Sequence, residues 1–187
     1  MILFGHLGIG GESVRMVTKS FRLRWLLLGT MLPDLIDKPL YYGLCALSGQ
    51  EGLANGVICG TRTIGHTALF LAVLWVVAAV TDSLAMTAVA AGASTHWILD
   101  AIADFSTTHH SPLASPVLGG SRAFQAFFYP YPEAHFPISH LSFEEHLWAS
   151  LTPSRLAFEV VGAIPVAWWI REAYKHRKAR KSAGHLA

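Results

Sequence analysis

Three histidines and three aspartates lie within otherwise apolar, helix-forming parts of this 187-residue chain: His6, Asp34, Asp37, His66, His96 and Asp100. Ionisable side chains cost about 2.5–3.5 kcal/mol each near hydrocarbon, so they usually have partners. Imidazoles and carboxylates together form a mixed nitrogen and oxygen ligand set, which suits Zn²⁺, Mn²⁺ or Fe²⁺ and is large enough for one or two ions. An open position on such an ion holds a water molecule with a pKa of about 7, which can attack an ester or a phosphoryl group.

A helical hairpin would bring His66 and His96 to one level. The turn of this hairpin falls at residues 81–83, and His66 precedes it by about as much as His96 follows it. At about 1.5 Å per helical residue, both histidines lie about 20 Å from the turn. Asp100 is four residues past His96 and therefore on the same helical face.

The first part of the chain predicts a second hairpin of the same kind. Its turn lies near Ser20, with His6 and Asp34 about equally far from it. Asp37 follows Asp34 by three residues, close enough to share its site. The spacing thus predicts that both hairpins deliver their histidines and aspartates to one metal site.

Two further polar residues are candidates for the same pocket. Arg62 precedes His66 by four residues and could hold a phosphate or carboxylate of a substrate, although a lipid headgroup contact explains it equally well. Asp104 continues the Asp100 face as a further ligand or a general base, and Asp37 is the other candidate base. Each residue alone has a simpler interpretation, because a single histidine in an apolar helix is more often a hydrogen-bonded core residue. The convergence of six such residues favours a metal.

The composition favours a chain that is partly solvated by lipid. It is 52% hydrophobic and 14% charged, with a mean hydropathy of +0.41, against roughly 45–50% and about 25% in an ordinary soluble domain. The apolar stretches 64–80 and 156–170 fall just short of the roughly 20 residues that span a bilayer, so each alone could also be a buried soluble helix. The predicted fold is an all-α, polytopic membrane bundle of about four to five core helices.

We expect one membrane-embedded helical domain over residues 1–187. Residues 1–103 form the two hairpins that carry the site, with helices at about 3–19, 21–33, 64–80 and 84–103. Residues 104–151, rich in proline and aromatic residues, form a long irregular cap. The last helix covers 152–178 and a basic tail end covers 179–187. The cap contains further histidines that are weaker candidate ligands: His109, His110, His135, His140 and His146.

Basic residues cluster near the first turn and in the tail, which predicts an orientation. The first cluster consists of Arg15, Lys19, Arg22 and Arg24. The positive-inside rule places both clusters in the cytoplasm, so a multi-pass protein of the inner (plasma) membrane would carry its site on the extracytoplasmic face. The rule explains the basic tail more simply than phosphate binding does, so no nucleic-acid partner is expected. The expected partners are membrane lipids and an anionic small-molecule or lipid substrate.

Four motifs in order resemble a known family: Phe4-Gly5-His6, LPDLIDKP at 32–39, RTIGHT at 62–67 and THWILD at 95–100. The set is similar to the bacterial membrane-bound, metal-dependent hydrolase family that includes LexA-regulated inner-membrane proteins, and covers roughly residues 4–132. This resemblance implies hydrolysis with motifs similar to those of zinc-dependent phospholipases. The chain departs from the family pattern at Thr61 and Lys38, where the family often has histidine.

The leading hypothesis is a metal-dependent hydrolase that cleaves an ester or phosphodiester, lipid-derived or otherwise, with a metal-activated water. The six histidines and aspartates would bind the metal, Asp37 or Asp104 would act as general base, and Arg62 would hold the substrate. The alternative is a non-enzymatic membrane protein that binds or conducts metal ions or protons through the same cluster.

Overall fold

A computed structural model of the chain describes residues 3–49, 58, 60–107, 126–129, 144, 147–148 and 151–184. Over these residues the regular structure is entirely helical. The helices are α1, π-helical over Gly5–Gly10 and α-helical over Gly11–Val17, then α2 (Leu23–Ser48), α3 (Ala68–Thr81), α4 (Leu84–Thr107) and α5 (Pro153–Gly184). A 3₁₀ turn at Ile64–His66 precedes α3.

The centre of the fold is the close crossing of α2 and α4. A Cβ atom at Gly29 would lie 2.2 Å from the carbonyl oxygen of Val89, and one at Gly92 would lie 2.5 Å from the carbonyl oxygen of Leu26. Only glycine permits this approach of two backbones. The small residues of the 84–103 stretch therefore allow the His96 helix to pack tightly against α2.

Helix α5 makes a similar contact with α1. A Cβ atom at Gly8 would lie 1.8 Å from the carbonyl oxygen of Gly162, and one at Gly162 would lie 2.1 Å from that of Phe4. The glycine content of α1 thus serves packing, because the helix lies directly against a neighbouring backbone. This contact joins the last helix of the chain to the first.

Helix α2 is longer than predicted. The pattern predicts an end at Pro33, but the helix continues through Pro33 and Pro39 and ends at Gly49, which is in the left-handed conformation (φ 65°). A proline inside a helix costs about 3 kcal/mol or more because it removes a hydrogen bond and crowds the preceding turn. Tertiary packing offsets that cost, since Tyr41, beyond both prolines, is fully buried. The aspartates of this region therefore lie in mid-helix.

The hairpin of α3 and α4 has its predicted turn, where Asp82 is left-handed (φ 47°). Helix α3 nevertheless begins later than predicted. The hydroxyl oxygen of Thr67 accepts a hydrogen bond from the amide of Phe70 (3.0 Å) and caps the helix. His66 therefore lies in the turn before α3 and not in the helix.

None of the described helices combines the length and the apolarity needed to cross a membrane. Helix α3 is the most apolar but has 14 residues, about 21 Å of helix against a hydrocarbon core of about 30 Å. Helix α2 is long enough but carries Asp34, Asp37 and Lys38 in its middle. The prediction of a polytopic membrane bundle is therefore wrong for these helices, while the helical fold class is confirmed.

The predicted cap begins within a helix, because α4 includes Asp104 and continues to Thr107. Most of the remaining segment, including its five candidate histidines, lies outside the described residues. The last helix extends to Gly184, so the predicted tail end at 179–187 begins as part of it.

Candidate metal centre

Five of the six predicted ligands converge on one buried centre. Their ligand atoms form two overlapping groups, each within 4.8 Å: His6, His96 and Asp100, and Asp34, His66 and His96. Each of the five residues is at most 7% exposed. They come from α1, α2, the 3₁₀ turn and α4, so four separate segments must pack correctly to assemble them. These buried groups could hold a metal ion.

The distances among the ligand atoms suit a single small cation. The Nε2 atoms of His66 and His96 are 3.1 Å apart, and Asp100 Oδ2 lies 3.5 and 3.8 Å from them. Asp34 Oδ1 is 4.0 Å from both nitrogens. Two nitrogens bound at the usual Zn–N length at a tetrahedral angle would be ~3.3 Å apart. The separations are thus close to those of a coordination shell.

Hydrogen bonds on the outer side of two histidines fix their orientation. His96 Nδ1 donates to the backbone carbonyl of Thr30 (2.7 Å), and His66 Nδ1 donates to Asp37 Oδ2 (2.7 Å). A carbonyl and an ionised carboxylate can only accept, so Nδ1 carries the proton in both rings. Each Nε2 atom then faces the centre and would bind an ion on releasing any proton it carries, in the arrangement that protein metal ligands usually have.

His6 completes the histidine set without such a hydrogen bond. Its ring stacks on His96, with centroids 3.9 Å apart, and its Nε2 lies 3.4 Å from Asp100 Oδ1. Within the described part of the chain, neither ring nitrogen makes a well-formed hydrogen bond, although the residue is 1% exposed. Buried polar groups nearly always have a partner, and an ion at the centre could supply one to this ring.

Asp37, the sixth predicted ligand, belongs to neither group. Its carboxylate accepts hydrogen bonds from the amides of Thr63 (2.7 Å) and Gly65 (2.9 Å) as well as from His66. It thus lies behind His66 and holds the 3₁₀ turn onto α2. The structure therefore places this carboxylate behind His66 and outside the two groups that could hold an ion.

Arg62 bridges two carboxylates of α4. Its Nη2 lies 2.9 Å from Asp100 Oδ2, and its Nη1 lies 2.6 Å from Asp104 Oδ2. Burial lowers the pKa of the guanidinium, but the two aspartates outweigh this and raise it above its ordinary value. The Arg62 side chain is 14% exposed and is paired with two carboxylates inside the protein. The prediction was instead that it holds a substrate.

The buried charges around the centre do not balance. Four aspartates are at most 7% exposed (Asp34, Asp37, Asp100 and Asp104). Two cations face them, Arg62 and Lys38, the latter 2.6 Å from Asp34 Oδ2. Two negative charges remain without a counterpart among these groups. Buried charges are stable when they are paired or bind a metal, and a divalent cation would supply the missing charge.

The pKa values report the same imbalance. Burial raises the pKa of Asp34 and of Asp100, but neighbouring cationic groups, with Lys38 beside Asp34 and Arg62 beside Asp100, hold both below the ordinary value. Burial lowers the pKa of His66, but hydrogen bonds to Asp100 and Asp37 raise it to about 9. A proton on His66 therefore compensates part of the negative charge, and a metal ion would compete with it.

Sequence reasoning missed two contributors to the centre. The Thr30 carbonyl carries no side-chain signal, because its role depends on how α2 crosses α4. Glu159 of α5 accepts hydrogen bonds from the start of α1, from residues 154–156 positions away in the chain, so no local pattern indicates them. Comparison with known protein families, curated proteins and solved structures finds no match to this chain. The hydrolase resemblance therefore stays a prediction.

Proposed function

We propose that the chain is a metal-dependent hydrolase of esters or phosphodiesters with one divalent ion bound by three histidines and two aspartates. The observation that carries the proposal is the buried constellation of these five side chains, which lies among more buried carboxylates than Arg and Lys partners and includes a histidine without a well-formed hydrogen bond. His96 Nε2 is shared by both ligand groups, because its Nδ1 is engaged by Thr30. One nitrogen binds one ion, so we propose one ion, not two. Zn²⁺ suits this donor set best, and Mn²⁺ or Fe²⁺ share it.

The surrounding residues have distinct roles in this proposal. A bound ion would supply a Lewis acid that lowers the pKa of a coordinated water. Asp37 and the Thr30 carbonyl keep two imidazoles in the ligating tautomer, and Arg62 holds Asp100 in place. Asp104, next to Asp100 on α4 but outside both ligand groups, is our candidate proton acceptor.

The substrate proposed is anionic, either a small molecule or lipid-derived. Lys38 is the cation best placed to meet it, because its side chain is 31% exposed whereas that of Arg62 is 14% exposed. Membrane location and the side on which the site lies stay predictions.

A second candidate is a metal-binding protein without catalytic activity. The extent of burial favours it, since every one of the five candidate ligands is at most 7% exposed. Structural metal sites are closed, whereas catalytic sites keep a position open to substrate. Both functions would use the same ligands, so a measurement of hydrolytic activity is needed to distinguish them.

The test is to measure metal in purified wild-type protein and in the His96→Ala variant by elemental analysis. We expect about one ion per chain in the wild type and a loss of most of it in the variant, since His96 belongs to both ligand groups. His176→Ala is the matched control, because His176 is exposed on α5 and far along the chain from any ligand. Wild-type protein without metal, or equal metal in wild type and His96→Ala, would overturn the proposal.

Activity then decides between the two candidates. Bis-(p-nitrophenyl) phosphate and a p-nitrophenyl ester serve as generic probes of the two bond classes. Hydrolysis that is lost on chelation, restored by Zn²⁺ and absent in His96→Ala supports the hydrolase. Stoichiometric metal without hydrolysis of either probe favours the binding protein.

A further inference from the structure

Helix α5 provides none of the five candidate ligands, yet it contacts the helix that carries His6. Glu159 is 9% exposed, and its carboxylate accepts hydrogen bonds from three consecutive backbone amides. Oε2 accepts from Leu3 (3.0 Å) and Phe4 (2.6 Å), and Oε1 lies 3.4 Å from the amide of Gly5. The last of these three amides, that of Gly5, is one residue before His6.

The contact is an N-terminal cap supplied from a distant part of the chain. The first backbone bond of α1 runs from the amide of Leu7 to the carbonyl of Leu3 (3.0 Å). The four amides at residues 3–6 precede it and have no acceptor within the helix. Glu159 accepts from three of them. A carboxylate there also interacts favourably with the positive end of the helix dipole.

A second contact on the same face of α5 restrains α1 further along. Gly162 is three residues after Glu159, and its backbone lies against Phe4 and Gly8. Since residues three apart on a helix are neighbours, the cap and the backbone contact form one docking face. Together they fix both the start of α1 and its distance from α5.

His6 depends on this docking more than the other two histidines do. His66 and His96 are each held by a hydrogen bond at Nδ1, whereas neither ring nitrogen of His6 has one within the described residues. Its ring position therefore follows from stacking on His96, from the 3.4 Å contact of its Nε2 with Asp100 Oδ1, and from where the backbone of α1 lies. Any shift of the α1 start moves the ring directly.

We propose that Glu159 is a positioning residue for His6, so that α5 sets the geometry of a metal centre to which it provides no ligand. The inference rests on the proposed metal centre. It adds that the affinity of the centre is coupled to the docking of α5 on α1. Glu159 touches neither the ion site nor a substrate and acts through the backbone of α1.

The first experiment compares Glu159→Gln and Glu159→Ala with His6→Ala in the full-length protein. Glu159→Gln keeps the size but removes the charge and one acceptor oxygen. Co²⁺ binding followed by visible absorption reports both affinity and the ligand field. We expect Glu159→Ala to lower Co²⁺ affinity about tenfold or more, as loss of an orienting group does, and to shift the spectrum towards that of His6→Ala. Glu159→Gln should have a smaller effect in the same direction.

The control and the double variant separate positioning from general stability. Glu172→Gln is the matched control, because Glu172 is on the same helix and pairs with Lys175. The affinity losses of Glu159→Ala and His6→Ala should not add in the double variant, since the cap acts through His6. Additive losses, or a Glu159 variant with lower thermal stability but wild-type Co²⁺ affinity and spectrum, would overturn the proposal.

A measurement without metal distinguishes this inference from the proposed function. Histidine side-chain NMR of the chelated protein should show a shifted His6 ring resonance in Glu159→Gln and an unchanged His66 resonance. That result supports positioning even where wild-type protein binds neither Co²⁺ nor Zn²⁺, in which case the proposed function alone fails. An unchanged His6 resonance contradicts the role of Glu159 directly.

Discussion

The three histidines of the centre are held in three different ways, and each arrangement predicts a different sensitivity to mutation. His96 is held by a backbone carbonyl, which no side-chain substitution removes. His66 is held by a carboxylate that also fixes two amides of its own turn. His6 is held through its backbone. The residue most open to a direct test is therefore Asp37.

Replacing Asp37 by Asn should weaken metal binding without removing a ligand. An amide oxygen cannot accept all three hydrogen bonds as well as a carboxylate does, so the ring of His66 loses its fixed orientation and part of its basicity. We expect Zn²⁺ affinity to fall by about 10- to 100-fold, the usual cost of losing an outer partner. Competition with a chelating dye measures it. Glu172→Gln should bind as wild type does, and a wild-type affinity in Asp37→Asn would show that the carboxylate has no part in the centre.

The spacing of Asp34 and Asp37 could not reveal which of them faces the centre. Both are charged, both lie between the two prolines of α2, and they are three residues apart. The distinction comes from the 62–66 segment. The amides of Thr63 and Gly65 donate hydrogen bonds to Asp37, whereas Asp34 Oδ1 faces His66 Nε2. Such backbone donors are specified by tertiary packing and not by residue type.

At the level of elements, the α2–α4 crossing sets the distance on which His96 depends. Gly92 is four residues before His96, and a Cβ atom there would lie 2.7 Å from the amide nitrogen of Thr30. The same crossing brings the Thr30 carbonyl to His96. Packing and tautomer selection therefore have one structural cause.

A methyl group at this crossing should separate the two helices. We expect Gly29→Ala and Gly92→Ala to lower the free energy of unfolding by about 1–3 kcal/mol, as overpacking usually does, and to lower Zn²⁺ affinity as well. Gly43→Ala is the control, because it is in α2 with nothing within 4 Å of its added Cβ. That variant should gain up to about 1 kcal/mol. Urea unfolding measures all three, and equal stability of the Gly29 and Gly43 variants would contradict the crossing.

Helix boundaries were predictable only where a local signal decides them. The turn between α3 and α4 was correctly predicted, and the start of α5 at Pro153 lies within one residue of its prediction, because turn and capping residues act within a few positions. The end of α2 was not, because contacts of buried residues such as Tyr41 outweigh the local cost of Pro33 and Pro39. His66 was placed inside a helix because apolar periodicity continues through a turn that only hydrogen bonds reveal.

For the whole molecule, the buried charges predict how stability depends on pH in chelated protein. The folded-state pKa of His66 is raised to about 9 from an ordinary 6.5. Its contribution to the free energy of unfolding is therefore full below pH 6.5 and is lost as the pH rises from 6.5 through 9. The pKa of His96 is lowered from 6.5, first by burial and then by His6, so stability is lost as pH falls below 6.5. The pKa values of Asp34 and Asp100 are also lowered, so the stability that these carboxylates contribute is lost as the pH falls further into the acidic range.

We therefore expect the free energy of unfolding of chelated protein to be greatest near pH 6.5 and to fall as the pH rises towards 9. Thermal unfolding across this range measures it. Added Zn²⁺ should raise the melting temperature of wild type, since an ion bound only to the folded state stabilises it by mass action. Added Zn²⁺ should leave the melting temperature of the His96→Ala variant unchanged. A melting temperature of chelated protein that stays constant or rises between pH 6.5 and 9 would contradict the role given to His66.

The sequence alone determined which residues have the chemistry and about where along the chain they lie. Their types and their distances from two turns follow from chain order and the fixed rise of a helix, so the sequence could name five residues that the structure brings together. Tertiary structure decided what chain order does not contain. It placed Asp37 behind His66 and Arg62 against two carboxylates, extended α2 through its prolines, and brought Glu159 of α5 to the amides of Leu3, Phe4 and Gly5. These depend on contacts between residues up to 156 positions apart, whose energies no local pattern reports.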